Sequence, residues 1–190
     1  MKELEQKILE KGVVLPGDVL KVGAFLNQLI DTDLLKKMAE ETANLFSNQK
    51  ITKVLTIESS GLPFATAVAM RLSVPMIYAK KSASSNMTSD VYYAEVFSYT
   101  HGKLFKIRIG KEYISSDDVV LITDDFLASG NALKGLISLV EAAGAKVAGI
   151  AIEIEKQYQG GGDELRANGF KVESLAKIAS MQEGRIVFCD

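Results

Sequence analysis

The chain has one cysteine and one histidine in 190 residues. A lone thiol cannot close an intramolecular disulfide, and Cys189 has no histidine near it in sequence, so it reads as an incidental thiol. His101 sits in the polar run Thr100-His101-Gly102-Lys103 and reads as a solvated turn residue rather than a catalytic base. There is no basic excess: Lys and Arg number 22 against 24 Asp and Glu, a formal charge of −2. No positive field is available to gather nucleic acid, so DNA and RNA are not expected partners. The apolar runs at 119–122 and 147–152 fall far short of the ~20 residues that span a bilayer. The opening MKELEQKILEKG carries three acids and lacks the unbroken apolar core of a signal peptide. A cytoplasmic protein with no membrane partner is expected. Two nucleotide motifs are missing as well. There is no G-x-x-x-x-G-K-[ST], and Gly160-Gly161-Gly162 lacks the spacing of a dinucleotide fingerprint.

What is present is a globular composition, 47% hydrophobic and 24% charged, in a length suited to one filled core. Helical spacing is read over 2–11, ending at Gly12. It recurs over 33–47, where Leu34, Leu35, Met38, Leu45 and Phe46 recur and Asp31 or Thr32 can cap. A buried-strand pattern at 54–57 leads into Glu58-Ser59-Ser60-Gly61 and then a helix with Pro63 in its first turn. Residues 75–79 read as a strand, 80–90 as a polar Ser- and Lys-rich stretch, and 92–99 with 104–109 as a long hairpin. A strand at 119–124 opens into small residues and a helix with Leu133, Leu136, Ile137 and Val140 in register, closed by Gly144. Residues 146–154 and 172–176 are further strands, with a short helix at 163–168. Repeated strand–loop–helix units predict an α/β fold, an open and mainly parallel twisted sheet flanked by helices. No repeat, low-complexity tract or linker divides it, so residues 1–190 are expected to form a single domain.

In such sheets ligands gather beyond the carboxyl ends of the strands. Two strand ends carry unusual loops. In the stretch 121–133, an apolar strand ends in Asp124 and Asp125, and the small residues Ala128, Ser129, Gly130, Asn131 and Ala132 run into a helix. Unpaired amides there suit a phosphate; the carboxylates upstream suit the hydroxyls of a sugar and a nearby positive charge. The bland alternative is an ordinary cap, with Ser129 or Asn131 closing the helix.

Leu-Ile-Thr-Asp-Asp-Phe-Leu-Ala-Ser-Gly-Asn-Ala-Leu at 121–133 resembles the donor-binding motif of the type I phosphoribosyltransferases, and Ile57-Glu58-Ser59-Ser60-Gly61 resembles their pyrophosphate loop. The likeness covers nearly the whole chain. It includes Gly-Val-Val-Leu at 12–15, Val-Leu-Lys-Val at 19–22, Phe-Leu-Asn at 25–27, Ile-Glu-Lys at 154–156 and Val-Glu-Ser-Leu-Ala at 172–176. The resemblance implies a core at about 31–154, a small hood from about 1–30 plus 155–190, and a long flexible β-hairpin loop over the site. It implies transfer of a 5-phosphoribosyl group from phosphoribosyl pyrophosphate to xanthine, with magnesium carried mainly by the donor rather than by metal-ligating side chains, in a homodimer. By the same resemblance Asp124 and Asp125 are catalytic and face the ribose. Ala128 to Ala132 hold the 5′-phosphate, Ser59, Ser60 and Gly61 receive pyrophosphate, and Leu20, Asn27 and Lys156 contact the base. Lys156 offers only donors, which suits a purine carbonyl.

The sequence also departs from the broader family. The phosphate loop lacks the threonine that often ends it, a serine stands at position 60 where many relatives place a larger basic residue, and no carboxylate stands at Ala128. No general base is assigned. Lys80 and Lys81 either reach pyrophosphate or form a surface pair. Guanine or hypoxanthine as acceptor is the alternative enzyme. A non-catalytic sensor of the donor is the alternative of another class, disfavoured by the acidic balance and by the ~30 residues ahead of the helix at 33, too few for a DNA-binding module with its linker.

Overall fold

The computed structural model describes residues 1–82, 90–98, 103–182 and 184–189. Helix α1 (Lys2–Lys11) is followed by a small antiparallel hairpin, β1 (Val13–Leu15) and β2 (Val19–Lys21), and by one π-type turn at Gly23–Asn27. The sheet then builds through β3 (Lys53–Ile57), β4 (Met76–Ala79), β7 (Val119–Leu127), β8 (Lys146–Lys156), β9 (Val172–Gln182) and β10 (Arg185–Phe188). Its order is β10-β9-β8-β7-β3-β4, parallel throughout except for the β9–β10 pair. The parallel sheet flanked by helices agrees with the pattern read from sequence.

Amphipathic helices cover both faces, and each one's apolar stripe explains its side. Leu4 and Ile8 of α1, Leu34 and Met38 of α2 (Thr32–Leu45), and Phe64 and Val68 of α3 (Leu62–Leu72) bury with Val54, Leu121, Ala151 and Ile154 on one face. On the other, Leu133, Leu136 and Val140 of α4 (Asn131–Ala142) and Leu165 of α5 (Gly161–Ala167) bury with Val120, Ile122, Ile150 and Ile152. The long hairpin, β5 (Val91–Ser98) with β6 (Lys103–Gly110), joins this second layer through Ala94, Val96, Ile107 and Ile109. Asp31 caps α2 by accepting the Leu34 N–H at 3.1 Å, and Gly144, at φ +72°, ends α4 as expected.

Three elements differ from the pattern read in sequence. β7 runs on through Asp125 to Leu127, because β8 pairs it as far as Leu127↔Glu155. β9 extends to Gln182 and is completed by β10, an edge pair with little apolar periodicity of its own. The β1–β2 hairpin is only three residues per strand, too short to show alternation. His101 and the tip of the long hairpin, with most of the 80–90 stretch, lie outside the described residues.

The short α5 is held by a buried ion pair. Arg166 donates to both oxygens of Glu155 at 2.9 and 2.7 Å, and the Ser174 hydroxyl donates to the same carboxylate at 2.5 Å. Burial alone would raise the Glu155 carboxyl, but Arg166 and Ser174 outweigh it and hold it below its usual range. Removing one partner of such a pair strands a charge out of water. Arg166→Ala should therefore cost about 3 kcal/mol of unfolding free energy in urea titrations; a loss within the usual scatter of surface substitutions would show that the pair contributes nothing.

Candidate active site

The β3–α3 turn and the β7–α4 turn lie side by side because their strands are neighbours in the sheet. They form one cleft of about 290 Å³. Ser59 and Ser60 line one wall, Asp124 and Asp125 the floor, and Ala128, Ser129, Gly130, Asn131 and Ala132 the other wall. Phe97 and Phe105 of the long hairpin complete it. Gly61 lies beneath rather than in the cleft: a Cβ there would come within 2.5 Å of Thr56 Oγ1 and 3.1 Å of Asp124 Oδ1. Only glycine lets the two turns approach this closely. The Glu58–Ser59 peptide is cis.

The β7–α4 turn resolves the choice left open by sequence. Gly130, at φ +78°, occupies the capping position of α4, and no side chain among the described residues caps that helix. Asn131 instead donates its side-chain amide to the Phe97 carbonyl at 3.3 Å, tying the long hairpin to the turn. The first amides of α4 are thus free of side-chain caps and open on the cleft, the arrangement that suits an anion.

The electrostatics of the floor are costly. Burial raises the Asp124 carboxyl well above its usual range, and the adjacent Asp125 charge raises it further. Burial raises Asp125 as well. The Asp125 N–H donates to Asp124 Oδ1 at 3.1 Å. A third acid sits behind them: Glu153 on β8, 2% exposed, raised by burial and then by Asp125 and Asp124. Among the described residues no hydrogen bond reaches its carboxyl. Sequence reading missed Glu153 because it stands in a run of buried strand residues with no local motif. Lys81 offsets this charge from the cleft's edge, its ammonium 5.5 Å from the Phe105 ring centre and its N–H on Glu58 at 2.6 Å. Lys80, beside it in sequence, pairs through its backbone with Arg108 on β6.

A second cleft, about 750 Å³, opens on the far side of Ala128 and Ser129. Lys156 lines it with Gln159 and the turn residues Pro16, Gly17, Asp18 and Val19 of the β1–β2 hairpin. Of the other two residues expected at the base, Leu20 is buried among Val22, Phe25 and Leu26, and Asn27 is partly exposed at the end of the π-type turn. Neither lines these two clefts.

Two of the three glycines at 160–162 have a packing role that composition alone did not disclose. Gly161 donates its N–H to the Ala128 carbonyl at 3.1 Å. A Cβ on it would meet that oxygen at 2.3 Å, Ser129 C at 2.5 Å and Gly130 N at 2.7 Å. A Cβ on Gly162 would meet Glu155 Oε1 at 1.9 Å. Backbone therefore packs directly on backbone behind the β7–α4 turn. Lys134 and Glu164, 2.7 Å apart, join the two helices above it.

With this geometry in place, similarity to known proteins is informative. A family model described as the phosphoribosyl transferase domain matches residues 22–181. The chain is 48% identical, over the full length of both, to a protein of Ruminiclostridium cellulolyticum named xanthine phosphoribosyltransferase. It is 50% identical to one of the same name from Bacillus cytotoxicus, over 99% of this chain and 95% of that one. Among solved structures, the adenine phosphoribosyltransferase of Rhodothermus marinus superposes with a TM-score of 0.76 at 24% identity, covering 93% of this chain and 99% of that one. That of Trypanosoma brucei, in complex with AMP, pyrophosphate and ribose-5-phosphate, gives 0.74 at 19% identity, over 92% and 79%. At these identities the two structures share the fold.

Two outcomes follow from the geometry. Gly161→Ala should displace the Ala128–Gly130 backbone and weaken ribose 5-phosphate by about tenfold in calorimetric titration, the scale of one lost charge-assisted hydrogen bond; unchanged affinity would mean the turn does not depend on its backing. Glu153 holds its proton more tightly folded than unfolded. Its contribution to stability is full below the ordinary carboxylate range and is lost as pH rises through its raised value. Glu153→Gln should therefore gain on the native protein in urea midpoint as pH is raised from 5 to 8, and a pH-independent difference would contradict the shift.

Proposed function

The chain belongs to the phosphoribosyl transferase family, and on that premise we propose that it transfers the 5-phosphoribosyl group of phosphoribosyl pyrophosphate to xanthine, giving xanthosine 5′-monophosphate and pyrophosphate. The observation that carries this reading is the single cleft in which the Glu58–Ser60 turn and the Asp124–Ala132 segment face each other. It offers two anion-binding ends with acids between them, the layout of a donor bearing phosphate at one end and pyrophosphate at the other. Relatives alike over their full length and named for xanthine supply the acceptor.

In this mechanism amides and hydroxyl of Ala128, Ser129, Gly130, Asn131 and Ala132 hold the 5′-phosphate, and Ser59 and Ser60 receive the pyrophosphate, with Gly61, the third residue expected there, supporting them from beneath. Fixing both ends places the anomeric carbon over the acids without further loss of freedom. The bond from that carbon to the pyrophosphate oxygen breaks with its electrons leaving on pyrophosphate. A nitrogen of xanthine then bonds to the carbon and gives up its proton to solvent. Asp124 and Asp125 stabilise the positive ribose between these events, as preorganised charge. Their raised carboxyls fit that task, since arriving positive charge favours the ionised forms. Lys81 is placed to meet the departing pyrophosphate.

Magnesium is assigned as an ion held mainly by the donor, since such ions commonly take phosphates plus one or two carboxylates. Bound there, it supplies charge neutralisation to the leaving pyrophosphate. Ala128 leaves no acid at its position to take the base's proton, and xanthine's own acidity reduces that need. Leu20, Asn27 and Lys156 are assigned to the base, within a hood of about 1–30 plus 155–190 over a core of about 31–154. We place the protein in the cytoplasm as a homodimer. No helix among the described residues is long and apolar enough to cross a membrane, and exposed Tyr78, Tyr93 and Leu104 offer a partner apolar surface.

Incubation with phosphoribosyl pyrophosphate, magnesium and each purine base should yield xanthosine 5′-monophosphate as main product. Guanine or hypoxanthine nucleotide in excess would move the acceptor, and no nucleotide at all would make the protein a sensor of the donor. Asp124→Asn and Asp125→Asn should each lower kcat by about a hundredfold, the scale of a lost transition-state electrostatic contact. The acid limb of the pH–rate profile should lie above the ordinary carboxylate range, because both acids are raised. Asp125→Asn should move that limb down by removing the neighbouring charge; a limb that stays in place would clear the pair of this role.

A further inference from the structure

We propose that Asp18 is the positioning residue for recognition of the base, pinning the turn of the β1–β2 hairpin to Lys156 so that its ammonium is fixed at the wall of the second cleft. The inference rests on the reading of Lys156 as the group that meets a carbonyl of the base.

The geometry is unusual for a short surface turn. Leu15 pairs with Val19, leaving Pro16, Gly17 and Asp18 as the turn. Asp18 has φ +63°, a conformation that Asp tolerates better than most side chains but that still disfavours it against glycine. Among the described residues only Ser73 shares this property outside glycine, and it ends α3, where a left-handed residue is ordinary. Asp18 is therefore held by something beyond the turn.

What holds it is the end of β8 and the turn that follows, some 140 residues away. The Lys156 ammonium donates to the Asp18 backbone carbonyl and stands 3.7 Å from its carboxylate. The Tyr158 hydroxyl donates to Asp18 Oδ1 at 2.6 Å, and the Gln159 side-chain amide donates to Oδ2. Burial and then the Asp18 carboxylate push the Tyr158 phenol above its usual range, so it stays a donor. The Lys156 side chain is 11% exposed and that of Asp18 35%. Asp18 and Gln159 line the same cleft as Lys156.

A lysine carries its charge on four rotatable carbons and loses that freedom on engaging a ligand. Here one of the ammonium's three donors is already committed to Asp18, and the others remain for the cleft. The loss of freedom is met in the folding of the protein rather than in binding, which is the source of affinity in a preorganised site. Asp18 touches Lys156 and not the reacting atoms, so its effect should fall on the acceptor and leave the donor alone.

Steady-state kinetics with xanthine and phosphoribosyl pyrophosphate varied separately test this. Asp18→Gly relieves the backbone and deletes the carboxylate. It should raise KM for xanthine by about tenfold, the scale of hydrogen bonds to a charged group, with KM for the donor within about twofold. Asp18→Asn keeps an acceptor and the backbone preference and should recover part of the loss. Tyr158→Phe, which leaves the turn sequence intact, should give a smaller rise in the same direction. Unchanged xanthine KM in Asp18→Gly and Tyr158→Phe would overturn the proposal, as would equal rises for both substrates, which mark a general defect. Lys156→Ala is run beside them. If it leaves xanthine use intact, the reading of Lys156 itself fails and the proposal with it; if it impairs xanthine use while the Asp18 variants do not, only the proposal fails.

Discussion

The architecture depends on backbone meeting backbone at the end of one strand. β7 leaves the sheet at Leu127, and the turn that follows is backed by chain with no side chain to separate it, Gly161 standing against Ala128, Ser129 and Gly130. Ahead of the turn, Gly61 packs on the side chains of Thr56 and Asp124. Phosphate recognition by main-chain amides needs those amides held at fixed positions, because they have no side-chain torsions with which to adapt. A rigid turn requires contact on the side away from the ligand. Glycine supplies it at the smallest spacing the chain allows.

Charge is placed against the interest of the fold. Asp124, Asp125 and Glu153 are all raised by burial, on the adjacent strands β7 and β8, whereas Glu155, Asp118 and Asp31 are held low by partners that satisfy them. The contrast separates two uses of a carboxylate in one molecule. Where Arg166, Lys53 or Lys7 is supplied, the acid stabilises structure. Asp124, Asp125 and Glu153 have no ion-pair partner among the described residues, and Lys81 offsets the two aspartates only from the cleft's edge. Sites of this kind are stabilised by their ligands in proportion to what the empty fold forgoes.

Much of this was legible in the chain, and the reasons are local. Period and punctuation place α1, α2, α3 and α4, since Asp31, Pro63 and Gly144 act within one turn of the residues they mark. The pairing of Asp124 with the small residues at 128–132 is likewise contiguous, so the phosphate end could be read directly. Other features are not written locally. Glu153 looks like any interior strand position until β7 is set beside it. Gly160-Gly161-Gly162 looks like a loose loop until its backing role appears. Asp18 depends on partners some 140 positions away, which no spacing rule connects. β10 has too few residues to announce itself, and β7 outlasts its apolar run because β8 continues beside it.

One short segment bears a consequence for how this protein can change. Lys156 and Gly161 lie five residues apart, on either side of the turn that leaves β8, and Glu155 and Gly162 bracket them in van der Waals contact. A mutation or insertion there that retuned the choice of base would also disturb the support of the phosphate turn. Evolution of acceptor preference is thereby steered away from this segment. The freer ground is the β1–β2 turn across the cleft, a three-residue loop that reaches Lys156 from another part of the chain. Diversity among descendants of this sequence, and libraries built to alter its base choice, should concentrate there.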